Sequence, residues 1–499
     1  MTLPSFHTLA LSALTLALAG CSLAPPYQPP AAEVPAAFKE APDANQRAQW
    51  KIAQPSEALA RGQWWRIFED TTLDALEEQA NTANQDLKAA AARLSQSRAL
   101  VRNVEADRWP QLDAGFGPAR QRRSAVAQGV APADAAGPST TWRAQVGIAY
   151  EVDLFGRVAD SISAASADAA QSAALFESIR LALQADVAQA YFLLRELDAQ
   201  QRIYIGTVAL REQTLTLVQR RFDEGNISEL DVARARTELA SARSESMSIA
   251  RQRAVAEHAL AILVGTTPAD FSVAARPLER VSVMVPAGLP SSLLERRPDI
   301  AAAERAMAAA NARIGVARSA FFPRLSITGA AGYESAQLGD LFEWSSRSFL
   351  IGPLIGGVLS MPLFDGGRRQ ADVDRARAVY EEDVARYRQT VLGAFREVED
   401  SLANLRILGD QTRAQDTAVA AASRAAQLSH VQYREGSVSY LDVIDADRSV
   451  LAQQRVAVQL DGERARHAVS LVRALGGGWQ ASTIGESSST TGVIAQNRP

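Results

Sequence analysis

The sequence contains little of what most enzymes and nucleic-acid-binding proteins need. Among its 499 residues there is one cysteine, and the four histidines are His7, His258, His430 and His467. A single cysteine excludes an intramolecular disulfide and a cysteine-based metal cage. No HExxH, GxxxxGK[ST] or GxSxG motif occurs, so we predict no catalytic residues, no metal site and no enzymatic activity. The 52 basic residues nearly balance the 56 acidic ones, which argues against a nucleic-acid partner.

Long apolar stretches are also scarce. With 47% hydrophobic and 22% charged residues, the chain is too polar for a multi-span helical membrane protein. The apolar run at residues 8–19 is too short to cross a bilayer as a helix, and it ends in Leu18-Ala19-Gly20-Cys21. An apolar run before small residues is typical of an export signal, so we predict a signal peptide over residues 1–20.

Cys21 is the candidate attachment point for a lipid. The tetrapeptide Leu-Ala-Gly-Cys resembles the bacterial lipobox, in which the cysteine is acylated and becomes the mature N-terminus. We therefore expect a lipid-anchored, extended segment over residues 21–60, because it begins rich in proline and alanine. The alternative is a plain secretory signal in which the cysteine is incidental. An acyl anchor holds a protein to a membrane but does not thread it through.

The two halves of the chain resemble each other. Residues 86–112 align without a gap with residues 299–325, at a spacing of 213. Residues 222–235 (FDEGNISELDVARA) align with residues 433–446 (YREGSVSYLDVIDA), at a spacing of 211. A period this long indicates a duplicated half-protein and not a solenoid.

Each half is predicted to contain a helix, a strand hairpin, a long helix and a shorter helix. The stretches that follow Arg157 and Arg368 lack proline, and their apolar residues recur every three or four positions, as in coiled-coil-like packing. The alternative for the helices alone is a soluble bundle. The first repeat is predicted at 61–265, with strands at about 111–154, a long helix at 157–222 and a helix at 229–264. A connector is predicted at 266–298. The second repeat is predicted at 299–476, with strands at about 324–364, a long helix at 368–433 and a helix at 440–475, and a disordered tail at 477–499.

The segment at residues 141–155 (TWRAQVGIAYEVDLF) shows a different period. Its residues alternate between an apolar face and a face that carries Arg143 and Glu151. Segments 111–117 and 324–333 alternate likewise, and 349–364 does so more weakly. Four strands of this kind fit a membrane barrel but cannot close one, so three copies of the chain are predicted to supply twelve strands. The alternative is two amphipathic hairpins packed on helices in a soluble domain.

These features together resemble the TolC-type outer membrane efflux family, in its lipoprotein (OprM-like, NodT-type) branch. Residues 289–333, which include LLERRPDI, and residues 433–454 carry the resemblance most specifically. It implies a mixed α and β membrane protein that forms a homotrimer. Long antiparallel helices would form a periplasmic α-barrel, and four transmembrane β-strands per chain would close as a twelve-stranded β-barrel. The covalent lipid on Cys21 is the only attached group expected, and no other cofactor is.

The resemblance also implies a function and partners. The protein would be the outer membrane exit duct of a tripartite efflux pump, exporting drugs or other toxic small molecules through a gated trimeric pore. A periplasmic adaptor and an inner-membrane transporter, favoured to be of the resistance–nodulation–division class, would be its partners, together with outer membrane lipid. It would be lipid-anchored in the bacterial outer membrane and extend into the periplasm. The alternative is a non-pore periplasmic coiled-coil scaffold lipoprotein, which would not need the charged strand face at residues 141–155.

The repeated segments EGNISELD (224–231) and EGSVSYLD (435–442) are predicted helix–turn–helix tips. A glycine at the end of a helix suits a residue with positive φ, and a serine before the next helix suits an N-cap. The predicted tip-turn and adaptor-contact residues are Gly225, Ser228, Leu230, Gly436 and Ser439.

The resemblance implies a gate at these tips. Leu441 would form an apolar ring and Asp445 a carboxylate ring, while Asp231 and Tyr433 match positions of an interhelix lock. Asp442 either joins the ring or favours a helix N-terminus. The TolC archetype has an arginine where this sequence has Val438. The candidates for a replacement cation are Arg434 and Arg234.

Overall fold

The computed structural model describes residues 22–31, 34–35, 37–40, 62–122, 124–131, 133–134, 136–280, 296–351 and 357–477. The predicted signal peptide, Cys21 and the tail beyond residue 477 lie outside these ranges. The chain divides into two compact units, each described by itself. The strand unit comprises Met1–Ala31, Arg93–Ala173 and Ala302–Tyr387, and the helical unit comprises Ala32–Ala92, Ala174–Ala301 and Arg388–Pro499.

Helices make up most of the described chain. Two of them have 67 residues each, and each is followed by a turn and a helix of 35 residues. The longer helices are α1 Thr71–Ala83, α2 Gln85–Glu105, α3 Arg157–Asp223, α4 Glu229–Leu263, α5 Pro298–Ser319, α6 Arg368–Arg434 and α7 Tyr440–Ala474. Shorter helical segments are Trp64–Phe68, Ala106–Arg108, Ala125–Gln128, Pro268–Asp270 and Trp344–Ser346. Across the described ranges, each helix is too short or too polar to traverse a bilayer.

The strand unit contains one antiparallel sheet. Its strands are β1 Gln111–Gln121, β2 Ser139–Val152, β3 Arg324–Ser335, β4 Arg347–Ile351 and β5 Gly357–Ser360. The order is β1-β2-β3-β4, and β5 pairs with β3 as well. Ile351 is opposite Gly329 and Gly357 is opposite Ile327, so β4 and β5 follow one another along the same edge of β3. The sheet therefore has four strand positions.

The register gives the sheet two different faces. One face carries Leu112, Phe116, Val146, Ile148, Ala331 and Phe349, and most of these apolar side chains are exposed. On the other face Arg143 Nε lies 3.4 Å from Glu334 Oε2, and Gln145 Nε2 donates to Ser348 Oγ at 3.0 Å. Two residues depart from this division: Leu350 is exposed on the polar face, and Arg347, opposite Tyr333, lies on the apolar face. Such an apolar face needs lipid or protein to cover it.

The core of the helical unit lies where α1, α3, α4 and α7 pack together. It is built around the fully buried side chains of Trp64, Leu73, Tyr191, Leu260 and Val472. The indole of Trp64 donates to Gln184 Oε1 at 3.0 Å, which satisfies its buried N–H.

Arg297, in the LLERRPDI segment, has a structural role in this unit. Its buried guanidinium donates to Asp299 Oδ2 at 2.6 Å, to Glu397 Oε2 at 2.7 Å and to the carbonyl oxygen of Ala474 at 3.0 Å. These contacts join the start of α5 to α6 and satisfy a carbonyl at the end of α7. The desolvation of Arg297 works against its charge, but the two carboxylates raise its pKa overall.

Candidate functional site

The helix tips lie in the helical unit, where α3 turns into α4 and α6 turns into α7. Both turns have the same hydrogen bonds: Gly225 N donates to Phe222 O at 2.8 Å and Asn226 N to Arg221 O at 2.8 Å. In the second tip Gly436 N donates to Tyr433 O and Ser437 N to Gln432 O. This is the Schellman pattern, which requires a left-handed residue. Gly225 has φ +75° and Gly436 has φ +77°.

The helices that follow begin at the two serines. Ser228 is the N-cap of α4 and Ser439 is the N-cap of α7. Asp442 Oδ2 accepts from the amide of Ser439 at 2.9 Å and from its hydroxyl at 2.7 Å, which is the carboxylate half of a capping box. These hydrogen bonds lower the pKa of the Asp442 carboxyl, so it stays ionised at neutral pH. The structure thus gives Asp442 a role at the helix N-terminus.

An apolar core fills the space between the two tips. It consists of Val218, Val232, Ala235, Tyr433, Tyr440, Val443 and Ile444, with Leu215, Ile227 and Val438 packed against it. Val438, which stands where the archetype has arginine, is therefore an apolar packing residue here. The rings of Tyr433 and Tyr440 are 5.6 Å apart, and Arg221 Cζ lies 4.8 Å from the Tyr433 ring. Burial, with Tyr433 beside it, raises the pKa of Tyr440 to about 12.

The residues predicted to form a lock contact other groups in a single chain. Asp231 accepts from Ser228 Oγ at 3.4 Å and lies 3.5 Å from Arg234 Nη1. Of the two candidate cations, Arg234 is thus the one the structure brings to Asp231. Because both residues are on α4, this pair does not join two helices. The hydroxyl of Tyr433 is buried and has no hydrogen-bond partner within the described part of the chain.

Glu238, which the sequence did not single out, joins three helices at the tips. Its side chain is 9% exposed. Glu238 Oε2 lies 2.9 Å from Arg211 Nη2 on α3, and its Oε1 accepts from Arg448 Nη2 on α7 at 2.5 Å. Arg211 also donates to the Glu238 carbonyl at 2.6 Å, and Arg448 Nη1 lies 3.7 Å from Asp445 Oδ1. The hydrogen bond to Glu238 raises the pKa of Arg448. The sequence signal that could have identified Glu238 is that its carboxylate lies beside the apolar positions 232, 235 and 239 of α4.

The two residues predicted to form rings, Leu441 and Asp445, are exposed and do not belong to the apolar core of the tips. Leu441 is 41% exposed, and the side chain of Asp445 is 65% exposed. Leu230, at the corresponding position of the first tip, is 57% exposed. On α6 and α7, His430 Nε2 and Asp447 Oδ1 are 2.8 Å apart. Over the described residues no group of three or more His, Cys, Asp or Glu side chains is arranged to hold a metal ion.

Comparisons with known proteins agree on one family. The model of the family described as "Outer membrane efflux protein" matches residues 76–266 and 289–477. The "Cation efflux system protein CusC" of Escherichia coli O6:H1 is 35% identical over 472 residues, which cover 94% of this chain and 98% of that protein. The "Toluene efflux pump outer membrane protein TtgC" of Pseudomonas putida is 35% identical over 481 residues, 95% of this chain and 96% of that protein. The open state of the Neisseria gonorrhoeae MtrE outer membrane channel superposes with a TM-score of 0.77 at 29% identity, covering 92% of this chain and 98% of that one.

Proposed function

Because the chain belongs to the outer membrane efflux protein family, we propose that it is the exit duct of a tripartite efflux pump, exporting drugs or other toxic small molecules through a gated trimeric pore. The observation that carries the proposal is the four-position sheet with an exposed apolar face and a polar face. The apolar face suits lipid and the polar face suits an aqueous lumen. A scaffold would need neither.

The edges of this sheet support a trimer. β1 and the β4–β5 edge are the two ends of the strand order within the described residues. In hydrocarbon, unpaired strand edges are not tolerated, so each must pair with an edge of another chain. Three copies would supply twelve strand positions, an even number that is ample for a membrane barrel. The two 67-residue helices and two 35-residue helices per chain support both an internal duplication and a helical barrel.

The partners and the location are proposed on the same basis. The tips would dock a periplasmic adaptor, and an inner-membrane transporter of the resistance–nodulation–division class would supply the energy. The protein would reside in the bacterial outer membrane, anchored by a lipid on Cys21, and extend into the periplasm. Two equally similar relatives are named for cations and for toluene, so similarity does not select an exported compound.

Planar-bilayer conductance of the purified protein tests the duct. We expect stepwise currents from a detergent-resistant trimer extracted from outer membranes. Deletion of the gene should increase sensitivity to a panel of toxic compounds, and restoring the gene should reverse this. A correctly folded protein that remains monomeric and gives no current would support the scaffold alternative.

The gate is proposed to combine a ring between chains with a bridge inside each chain. Exposed Leu441 and Asp445 would repeat three times around the axis, where the leucines would narrow and dewet the pore. The Glu238–Arg448 pair would hold α7 against α4 while the ring is closed. Asp231 and Tyr433 would stabilise the tips as a cap and as core packing, respectively.

Replacing Leu441 with alanine tests the ring. We expect Leu441→Ala to raise the conductance of the isolated trimer severalfold, because the constriction loses its apolar side chains. Leu230→Ala is the matched control: it removes an exposed leucine at the corresponding position of the other tip. The isolated trimer contains no adaptor, so an adaptor contact at Leu230 would not affect the current. Equal conductance of the two variants would contradict the proposed gate.

A further inference from the structure

The two faces of the sheet in the strand unit carry different charges. On the polar face the described strands have charged residues of both signs, which are Asp113, Arg143, Glu151, Arg324 and Glu334. On the apolar face the described strands have two charged residues, and both are exposed arginines, Arg120 on β1 and Arg347 on β4. Neither arginine pairs with a carboxylate in the described part of the chain. The charge on the apolar face is therefore purely positive.

Both arginines lie in the half of the sheet that is remote from the helices. β2 runs into α3 and α5 runs into β3, so the helices join the sheet where Val152 pairs with Leu325. Arg120 is near the end of β1 and Arg347 is the first residue of β4, beside the turns that connect β1 to β2 and β3 to β4. Since the helices of the proposed duct extend into the periplasm, this half of the apolar face would meet the outer leaflet of the membrane.

The turn between β3 and β4 holds Arg347 against an aromatic ring. Arg347 Nε donates to the carbonyl oxygen of Trp344 at 2.8 Å, and its guanidinium lies over the indole ring of Trp344. The turn is itself fixed, because Leu341 is fully buried and Ser346 Oγ donates to Asp340 O at 2.7 Å. Arg347 is thus positioned through Nε and the ring, while its two terminal amino groups meet no acceptor among the described residues.

Exposed aromatic side chains surround this arginine. Trp344 is 75% exposed and Phe342 is 67% exposed. Phe342 packs edge-to-face on Tyr333 with ring centroids 5.6 Å apart, and Tyr333 is opposite Arg347 in the register. Aromatic side chains are enriched where the hydrocarbon of a membrane meets the headgroups. Tyr333, Phe342, Trp344 and Arg347, here called the boundary patch, therefore have the composition of a surface at headgroup level.

We propose that the boundary patch binds the phosphate of a lipid headgroup in the outer leaflet, with Arg347 as the residue that contacts the phosphate and Trp344 as the plane that orients it. A guanidinium can donate two parallel hydrogen bonds to phosphate oxygens, and its aliphatic stem can lie along an apolar surface. Glu343, in the same turn, accepts from Ser345 Oγ at 3.4 Å and does not neutralise Arg347. This inference rests on the proposed function, because it requires the sheet to stand in a membrane.

Titration of the full-length trimer in detergent with fluorescently labelled diphosphoryl lipid A, a phosphorylated glycolipid, tests the site. We expect Arg347→Gln to weaken binding about fivefold, since one arginine near an anionic lipid surface contributes about that much. Arg347→Lys keeps the charge and should recover part of the loss. Arg324→Gln is the matched control: Arg324 is also an exposed arginine at the start of a strand, but it lies on the polar face where the helices join the sheet. Equal affinity of Arg347→Gln and the unsubstituted trimer would overturn the site.

The same titration with lipid A whose phosphates have been removed separates phosphate recognition from apolar binding. The preference of the unsubstituted trimer for the phosphorylated form should fall about fivefold in Arg347→Gln and should also fall in Trp344→Leu, which removes the ring beneath the guanidinium. A preference that is the same in all three proteins would overturn the assignment of Arg347 and Trp344.

Two further measurements separate the source of the phosphate and the basis of the inference. Inorganic phosphate should displace labelled lipid A no better than sodium chloride of the same ionic strength, and selective displacement would show a site for free phosphate in place of a lipid site. If the unsubstituted protein forms no trimer and conducts no current, the proposed function fails. If it conducts and Arg347→Gln keeps its full lipid preference, the lipid site alone fails.

Discussion

Glu77 on α1 is the buried acid whose replacement makes the sharpest prediction about stability. Its side chain is 0% exposed, and neither carboxylate oxygen has a hydrogen-bond partner within the described chain. Burial, and to a smaller extent the neighbouring Asp74, raise the pKa of Glu77 from 4.5 to about 9. At neutral pH the folded protein therefore keeps a proton on Glu77, while the unfolded chain does not.

The magnitude follows from linkage. Between pH 4.5 and about 9 unfolding releases this proton, so the contribution of Glu77 to stability falls as the pH rises. Each pH unit in this window weakens the fold by about 1.4 kcal/mol. The loss is roughly 3 kcal/mol at pH 7 relative to pH 4.5. Glu77→Gln keeps the shape and removes the titration. Between pH 5 and pH 8, the free energy of unfolding of Glu77→Gln should therefore rise by roughly 4 kcal/mol relative to that of the unsubstituted protein.

Denaturant unfolding of the full-length protein in detergent, followed by the circular dichroism of its helices, measures this difference. Glu78→Gln is the matched control, because Glu78 is 58% exposed and pairs with the equally exposed Arg66. An exposed pair of this kind contributes about 1 kcal/mol or less, so the control should show little change with pH. If the two variants have the same pH profile, the burial argument for Glu77 is refuted.

Two glycine pairs give the remaining predictions. Gly436 has φ +77°, and a Cβ added there would meet no atom, so Gly436→Ala tests the backbone conformation alone. It should destabilise the protein by about 1–2 kcal/mol in denaturant unfolding, whereas Gly393→Ala within α6 should stabilise the protein by up to about 1 kcal/mol. Equal effects of the two substitutions would contradict the backbone argument. Gly332→Ala would place its Cβ 2.6 Å from Gln145 Cα and should reduce the yield of heat-resistant trimer on electrophoresis. Gly115→Ala, on the other side of Gln145, meets nothing and should leave that yield unchanged; loss of trimer in both would show that the β2–β3 spacing is not the cause.

The family and the mostly helical fold with a small antiparallel sheet are confirmed. Local periodicity carries this information, because proline-free stretches with apolar residues every three or four positions favour an amphipathic helix. The long helices, predicted at 157–222 and 368–433, are Arg157–Asp223 and Arg368–Arg434. Alternation over 141–155 likewise predicts strand β2 and its two faces, since the side-chain period of two is local.

Features that depend on distant parts of the chain could not be predicted in this way. The division of the fourth strand position between β4 and β5 becomes apparent only when both pair with β3. The N-terminal segment 22–27 is another case: Glu304, Asn311 and Arg318 have no local signal that assigns them to residues about 280 to 295 positions earlier. The sequence shows which side chains can form hydrogen bonds, but only the fold shows which backbone groups they contact.

The bridge at Glu238 shows why this distinction matters for the gate. Resemblance points to Leu441 and Asp445, which are exposed in one chain and would act through copies of themselves. The structure adds Glu238, separated from Arg448 by 210 residues and placed between it and Arg211. Any opening that moves α7 away from α4 would separate Arg448 from Glu238 and leave a largely buried carboxylate with one arginine in place of two. Solvent screens this pair, because the Arg448 side chain is 57% exposed, so the bridge contributes less than the roughly 3–5 kcal/mol that is typical of a fully buried pair. In the proposed gate, a movement of α7 would therefore have to break this contact inside each chain as well as the contacts between the exposed ring residues.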